Sequence, residues 1–273
     1  MAFLRERGLP VPQLFRRRGG VLGLRLDNVL IDILHTVDQG LGSNVIGNIV
    51  WYFAVTMGVF GASTYAQKIQ ACGEDMKLWY KKRKLSSRLQ GKLTLERIRT
   101  SGDWPKLKAK AAATRHLAHY ALDLCVRFGQ VNSLDAFTAL HDSLAQGVCQ
   151  HLVEFYVILN EESMFLSRLA RERLVTIGNE LTAMYSKLAR ISFDRGLKLW
   201  KVSPKMHLFL HLVLEQAWAF GNPRFWWTYG DEDLVGTMIG IADSVHTSTI
   251  AISVMSKWLW CVFDELLLDM DSS

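Results

Sequence analysis

Acidic residues in two distant segments of the chain could together hold divalent metal ions. Asp32 follows a short apolar run, and Glu232 stands in the acidic segment Gly230–Asp233, at the start of a predicted helix. Phosphodiester transfer by two Mg²⁺ ions needs carboxylate oxygens delivered to one spot from separate parts of a chain. Asp32 and Glu232 are therefore the candidate catalytic and metal-ligating residues, with Mg²⁺ as cofactor if the site is complete. Asp231 and Asp233 compete with Glu232, and every one of these carboxylates could instead cap a helix.

Three histidines accompany these carboxylates. His35 lies three residues after Asp32, where it could hydrogen-bond a carboxylate or a phosphate, or be a satisfied buried histidine. His207 and His211 are four residues apart, which places them on one helix face at the spacing of a zinc pair. No Glu-His pattern or nearby cysteine completes four zinc ligands, so a place in the core or at an interface is the simpler interpretation.

Positive charge is concentrated in the first half of the chain. Residues 1–130 hold 21 Lys and Arg against 9 Asp and Glu, whereas the remaining residues hold 11 against 17. Residues 77–115 contain 13 basic residues and two acidic ones. A field of this sign attracts polyanions, with nucleic acid as the expected partner, although a solvated basic helix surface has the same composition. The residues expected to contact DNA are Lys81, Lys82, Arg83, Lys84, Lys106, Lys108, Lys110 and Arg115.

The hydrophobic pattern predicts a mainly α chain with one or two short strands. An apolar run over 21–34 favours a buried strand that ends near Asp32. No charged residue occurs in 39–67, but glycine and polar residues restrict its apolar part to 49–62, which suits a buried helix better than a membrane span. Helical periodicity or helix signals cover 74–88, 94–98, 106–128, 134–159, 161–193, 207–220, 234–242 and 248–268.

The two chemistry-bearing segments, taken in order, resemble a family of mobile-element enzymes. Residues 32–35, Asp-Ile-Leu-His, with Gly47 and Asn48 behind them, look like the Asp-x-Met-His…Gly segment of CACTA-type and related eukaryotic transposases. Residues 205–236 are similar to the family's later block of two histidines four apart, a glycine near a proline, an aromatic stretch and Tyr-x-x-Glu. The sequence departs from the pattern at Leu34, where members carry Met, and at 230–231, where Pro-Phe is usual.

This resemblance implies the remnant of an RNase H-like core interrupted by a long helical insertion. An irregular basic segment would occupy 1–20, followed by one mostly helical domain over 21–273. That domain would hold a core strand and buried helix in 21–67, the basic insertion in 68–200 and C-terminal core helices in 201–273. The family's first catalytic aspartate lies further upstream than residues 1–26, which contain none. The chain would thus be the C-terminal part of a metal-dependent DNA strand-transfer or nuclease domain, inactive alone.

The site residues implied by the resemblance are Asp32 and Glu232 as inherited metal ligands, with His35, His207 and His211 in support. DNA would be the partner and the nucleus the location, while a homo-oligomer stays open. The absence of a Gly-rich phosphate loop, nucleophile elbow or Rossmann fingerprint argues against a small-molecule cofactor. Four scattered cysteines are typical of a reducing, intracellular compartment.

Two alternatives stand beside this interpretation. The first is a non-enzymatic helical module that binds nucleic acid through the basic field of 77–115 alone. The second is a membrane-associated helical protein that uses the apolar segments 49–62 and 253–263. Membrane association is the less favoured of the two, because both segments are shorter than a bilayer requires.

Overall fold

The computed structural model describes residues 29–84, 88–100, 103–246, 249–250 and 252–257. Within these ranges every regular element is helical, which confirms a mainly α fold. The chain divides into two compact units, Met1–Trp226 and Trp227–Ser273. The RNase H-like core and the domain boundaries drawn from the resemblance stay predictions.

The first unit begins with an almost continuous buried helix. Its middle part, α1 (Ser43–Trp51), is flanked by π-helical turns at Leu34–Gly42 and Tyr52–Thr56. Nearly every side chain from 33 to 55 is buried, because this helix is surrounded by other helices of the unit. A helix that is apolar on all sides belongs in a protein interior, which explains the missing charges after residue 38. It ends at Thr56, six residues before the predicted end at 62.

The remaining helices of the first unit wrap around this central one. The bounds are α2 Tyr65–Arg83, α3 Leu95–Ile98, α4 Ala111–Phe128, α5 Ala136–Glu161, α6 Arg168–Asp194, α7 Pro204–His211, a π-helical turn Leu212–Gln216, α8 Ala217–Phe220 and a 3₁₀ turn Pro223–Trp226. Helices α4 and α5 pack on each other, α4 also packs on the central helix, and α6 packs on α5.

The second unit contains α9, Tyr229–Asp243, which includes the helix predicted over 234–242. The helix predicted over 248–268 is described at 249–250 and 252–257, where the backbone is helical. Among the described residues of both units, no helix combines the length and apolarity that crossing a membrane demands.

The strand predicted over 21–34 is wrong in the part that the structure describes. Residues 29–32 have no regular structure, and a helix begins at Ile33. Asp32 starts this helix, because its carboxylate accepts hydrogen bonds from the backbone N–H groups of Leu34 at 3.2 Å and His35 at 2.9 Å. These donors have no partner inside the first turn, so the carboxylate stabilises the helix start. Residues 29–31 are instead held by the Gln216 side chain, which accepts from the Ile31 N–H at 2.7 Å and donates to the Val29 carbonyl at 3.3 Å, partners that a short apolar run does not reveal.

A buried ion pair anchors the π-helical turn Leu34–Gly42 to the helices around it. Asp38 is fully buried; its carboxylate accepts a hydrogen bond from the Tyr156 hydroxyl at 2.6 Å and one from the Arg115 guanidinium at 3.0 Å. Arg115 on α4 was expected to contact DNA. Its side chain is only 15% exposed, and its charge is used to balance Asp38 in the interior. Arg115 therefore does not belong to the exposed basic surface of the first unit.

Candidate functional site

Four lysines from two distant segments line one cleft in the first unit. The cleft has a volume of about 560 Å³ and lies between residues 98–108, the start of α7 and one face of the central helix. Lys106 and Lys108 approach it from one side, Lys201 and Lys205 from the other, and Asp103 is the carboxylate among its lining residues. We call this feature the lysine cleft. Its charge and size suit an anionic ligand.

Asn48 holds both lysine-bearing segments against the central helix. Its side chain is fully buried, and its Oδ1 accepts a hydrogen bond from the Trp200 backbone N–H at 2.7 Å. Its Nδ2 donates to the backbone carbonyls of Pro105 at 3.4 Å and Asn44 at 2.7 Å. Trp200 adopts a positive φ of 60°, a conformation that non-glycine residues rarely adopt unless contacts hold them there. One amide side chain thus fixes the residues next to Lys106 and Lys201.

Gly47 allows the first lysine segment to lie directly on α1. A Cβ atom at this position would stand 2.5 Å from Lys106 Cα and 2.7 Å from the Leu107 backbone nitrogen. The Leu107 N–H in turn donates to the Ser43 carbonyl at 2.9 Å. Gly47 and Asn48 belong to the segment that resembles a transposase motif, and in this structure both position the lysine cleft.

The positively charged lysines of the cleft repel one another. Partial burial, together with the positive charges of Lys205 and Lys201, lowers the pKa of Lys106. The lowered pKa means that keeping the ammonium group charged costs more free energy in the folded protein than in water. Lys205 also donates to the His35 backbone carbonyl at 2.7 Å, which holds its ammonium near the others. An anion bound between these groups would relieve the repulsion.

The N-terminus of α7 adds further donors to the same cleft. Ser203 precedes Pro204 at the helix start, and its hydroxyl makes no capping hydrogen bond. The Ser203 Oγ atom is buried and has no hydrogen-bond partner among the described residues. A buried hydroxyl without a partner is unfavourable unless a ligand or water satisfies it. The positive end of the helix dipole favours negative charge at the same place.

Trp104 gives the cleft an aromatic surface beside its lysines. The indole is half-buried and lines the cleft, and the Lys198 ammonium lies 5.9 Å from its ring centre. Cations and aromatic rings placed in this way are attracted by the ring quadrupole. A base or another flat group could stack on such a ring while its phosphate contacts the lysines.

Removing one positive charge from the cleft should raise the stability of the protein and weaken its binding of polyanions. We expect Lys106→Met, which keeps an apolar stem, to raise the midpoint of thermal unfolding by up to about 2 °C, since it removes repulsion from Lys201 and Lys205. The same change should weaken polyanion binding about three- to tenfold. Thermal unfolding and a binding titration on one preparation measure both; a lower midpoint would mean that Lys106 serves the fold.

The acidic residues predicted to bind Mg²⁺ lie in different units. Asp32, in the first unit, uses its carboxylate to start the central helix and to contact His35 Nδ1 at 2.6 Å. Glu232 lies in the first turn of α9 in the second unit, as expected, and its side chain falls outside the described part of the structure. Within the described residues no three or more His, Cys, Asp or Glu side chains form a metal-binding group. The magnesium site stays a prediction.

The other predicted DNA contacts lie outside the lysine cleft. Lys81, Lys82, Arg83 and Lys84 form the exposed C-terminal end of α2, where Arg83 lies over the Trp79 ring. Lys110 precedes α4 and is exposed. None of these five residues lines the cleft. Lys201, Lys205 and Ser203 were not predicted as binding residues; the signal in the sequence is Pro204, a residue type favoured at the first position of a helix.

Comparison with protein-family models, curated proteins and solved structures finds no match to this chain.

Proposed function

We propose that this chain is a helical nucleic-acid-binding protein whose lysine cleft contacts the phosphate backbone. The observation that carries the proposal is the convergence of Lys106, Lys108, Lys201 and Lys205 on one cleft, where Asp103 is the one carboxylate among the described lining residues. A fold gains nothing from gathering like charges, so a polyanionic ligand is the simplest reason for the arrangement.

A polynucleotide suits the cleft better than a small anion. Successive phosphates can reach lysines on both walls, and the half-buried Trp104 offers a surface for an unpaired base. Backbone contacts of this kind supply affinity and salt dependence but no base recognition. DNA is the partner that the transposase resemblance favours. A strand-transfer or nuclease activity through Asp32, Glu232 and Mg²⁺ rests on that resemblance alone.

Charge removal at two matched places tests the proposal. The cleft variant replaces Lys106, Lys108, Lys201 and Lys205 with Gln; the control variant replaces Lys81, Lys82, Arg83 and Lys84 with Gln, so both lose four positive charges. Fluorescence anisotropy with single-stranded and duplex DNA of about 20 nucleotides measures the binding constants.

We expect the cleft variant to bind at least about 30-fold more weakly, and the control variant to change by less than about threefold. Inorganic phosphate or a mononucleotide, added at the phosphate concentration of the DNA, should not displace the DNA if several phosphates bind together. Equal losses in the two variants would show that the overall field, and not the cleft, attracts the nucleic acid.

A further inference from the structure

An exposed histidine, His207, and a partly exposed one, His211, face each other at close range on α7. His207 Nε2 lies 3.0 Å from His211 Nε2, and both residues stand on one face of α7, one helical turn apart. The side chain of His211 is 39% exposed, so solvent reaches the pair. Neither imidazole belongs to the lysine cleft.

Glu215 fixes the orientation of one of these imidazoles. Its Oε1 lies 2.7 Å from His211 Nδ1, a further four residues along the same helical run. A carboxylate next to Nδ1 stabilises the tautomer that carries its proton there, so the lone pair of His211 Nε2 points toward His207. This arrangement of carboxylate, imidazole and open nitrogen is the one that orients histidine ligands in metal sites.

We propose that His207 and His211 form a surface site for one divalent transition-metal ion such as Zn²⁺, Ni²⁺ or Cu²⁺, with Glu215 as a positioning residue. Two nitrogens about 2.1 Å from an ion are about 3.0 Å apart at adjacent octahedral positions and about 3.4 Å apart in a tetrahedral site. The observed separation of 3.0 Å therefore fits without a backbone shift. Water completes the coordination, and the proposal does not depend on the lysine cleft.

Metal binding requires His207 to change from one neutral tautomer to the other. In the unliganded pair one Nε2 must carry the hydrogen that joins the two rings. Because Glu215 keeps the proton of His211 on Nδ1, that hydrogen belongs to His207 Nε2. On metal binding His207 moves this proton to its own Nδ1 through solvent, and both Nε2 lone pairs then face the ion. Imidazoles bind metal in the neutral form, so this step consumes no oxidant or reductant.

The site is tested by calorimetric titration of the full chain with Zn²⁺ or Ni²⁺ alone. We expect one ion per chain, with affinity about tenfold or more lower in His207→Ala and in His211→Ala, and about tenfold lower in Glu215→Gln. His246→Ala is the control, because His246 is also exposed but lies in the second unit, so its loss should leave the affinity unchanged.

A second measurement does not depend on affinity. Electron paramagnetic resonance of the Cu²⁺-loaded chain should show coupling to two imidazole nitrogens in the wild type and to one in each single-histidine variant. All four substituted side chains are at least partly exposed, so helical circular dichroism should be retained. The proposal is overturned if the double variant His207→Ala with His211→Ala still binds one ion with wild-type affinity, or if His246→Ala loses as much as His211→Ala.

Discussion

Asn48→Ala is expected to lower the free energy of unfolding by about 3 kcal/mol, and also to weaken nucleic-acid binding although the buried Asn48 does not line the cleft. The substitution leaves the buried Trp200 N–H and Pro105 carbonyl without the partner that they have in the wild type. Each buried polar group left in this way costs about 1–3 kcal/mol. Because the lost bonds hold both walls of the lysine cleft, the lysines should no longer converge.

Urea unfolding followed by circular dichroism measures the loss of stability, and DNA titration well below the unfolding midpoint measures the loss of binding. Asn160→Ala is the matched control, because it makes the same chemical change at an exposed position near the end of α5. That variant should differ from wild type by less than about 0.5 kcal/mol. If Asn48→Ala were as stable as Asn160→Ala, Asn48 would not be what positions the cleft walls.

Asp38→Asn is expected to destabilise the first unit by about 3–5 kcal/mol, the largest stability effect of any single change considered for this chain. The carboxylate is fully buried, and its charge balances Arg115, whose side chain is 15% exposed. An amide of the same shape keeps one acceptor for the Tyr156 hydroxyl but removes the negative charge from beside the guanidinium. A buried charge that loses its counter-charge is far more costly than an exposed one.

Asp194→Asn provides the comparison for this second effect. Asp194 pairs with Arg190 one turn earlier on α6, and both side chains are more than half exposed. An exposed pair of this kind contributes about 0.3–0.5 kcal/mol. Denaturant unfolding of both variants should show that Asp38→Asn loses several times more free energy of unfolding than Asp194→Asn. A cost below about 1 kcal/mol for Asp38→Asn would mean that solvent screens the pair far more than its burial implies.

The helical fold could be predicted from the sequence because most helices present one apolar face to the core. The stripes that locate α4, α5 and α6 are visible as regular spacing of large apolar residues. Helix starts were harder to place. Helix α2 begins at Tyr65, nine residues before the predicted start, since Thr64 and Gln67 form a capping box that the sequence already contains. Helix α5 begins at Ala136, two residues after the predicted start, because its cap is Asp135, which accepts from the Thr138 N–H at 2.9 Å.

The strand prediction failed for a different reason. The described backbone before the central helix is bonded by side chains from far along the chain, because Gln216 accepts from the Ile31 N–H at 2.7 Å and Trp226 donates to the Ile31 carbonyl at 3.3 Å. The π-helical turn Leu34–Gly42 is likewise held by the ion pair of Asp38 with Arg115, a residue more than seventy positions away in the chain. Local pattern carries no information about such partners.

Half of the lysine cleft could be predicted. Lys106 and Lys108 stand in the basic segment that composition alone identifies, whereas Lys201 and Lys205 lie in the half of the chain where acidic residues outnumber basic ones. Only folding brings the two pairs together, through the hydrogen bonds of Asn48 and the close approach at Gly47. Asp32 was predicted as a metal ligand because a lone aspartate after an apolar run suits both a site and a helix start; the structure shows the helix start.

The salt dependence of DNA binding tests the proposed role of the lysine cleft most directly. The association constant of the wild type and of the four-lysine cleft variant would be measured with duplex DNA from about 50 to 200 mM salt. Each phosphate contact contributes about 0.9 to the slope of log K against log salt, so the cleft variant should lose about 3–4 from the wild-type slope. An unchanged slope in the cleft variant, with the loss appearing instead in the variant of Lys81, Lys82, Arg83 and Lys84, would contradict the proposed function.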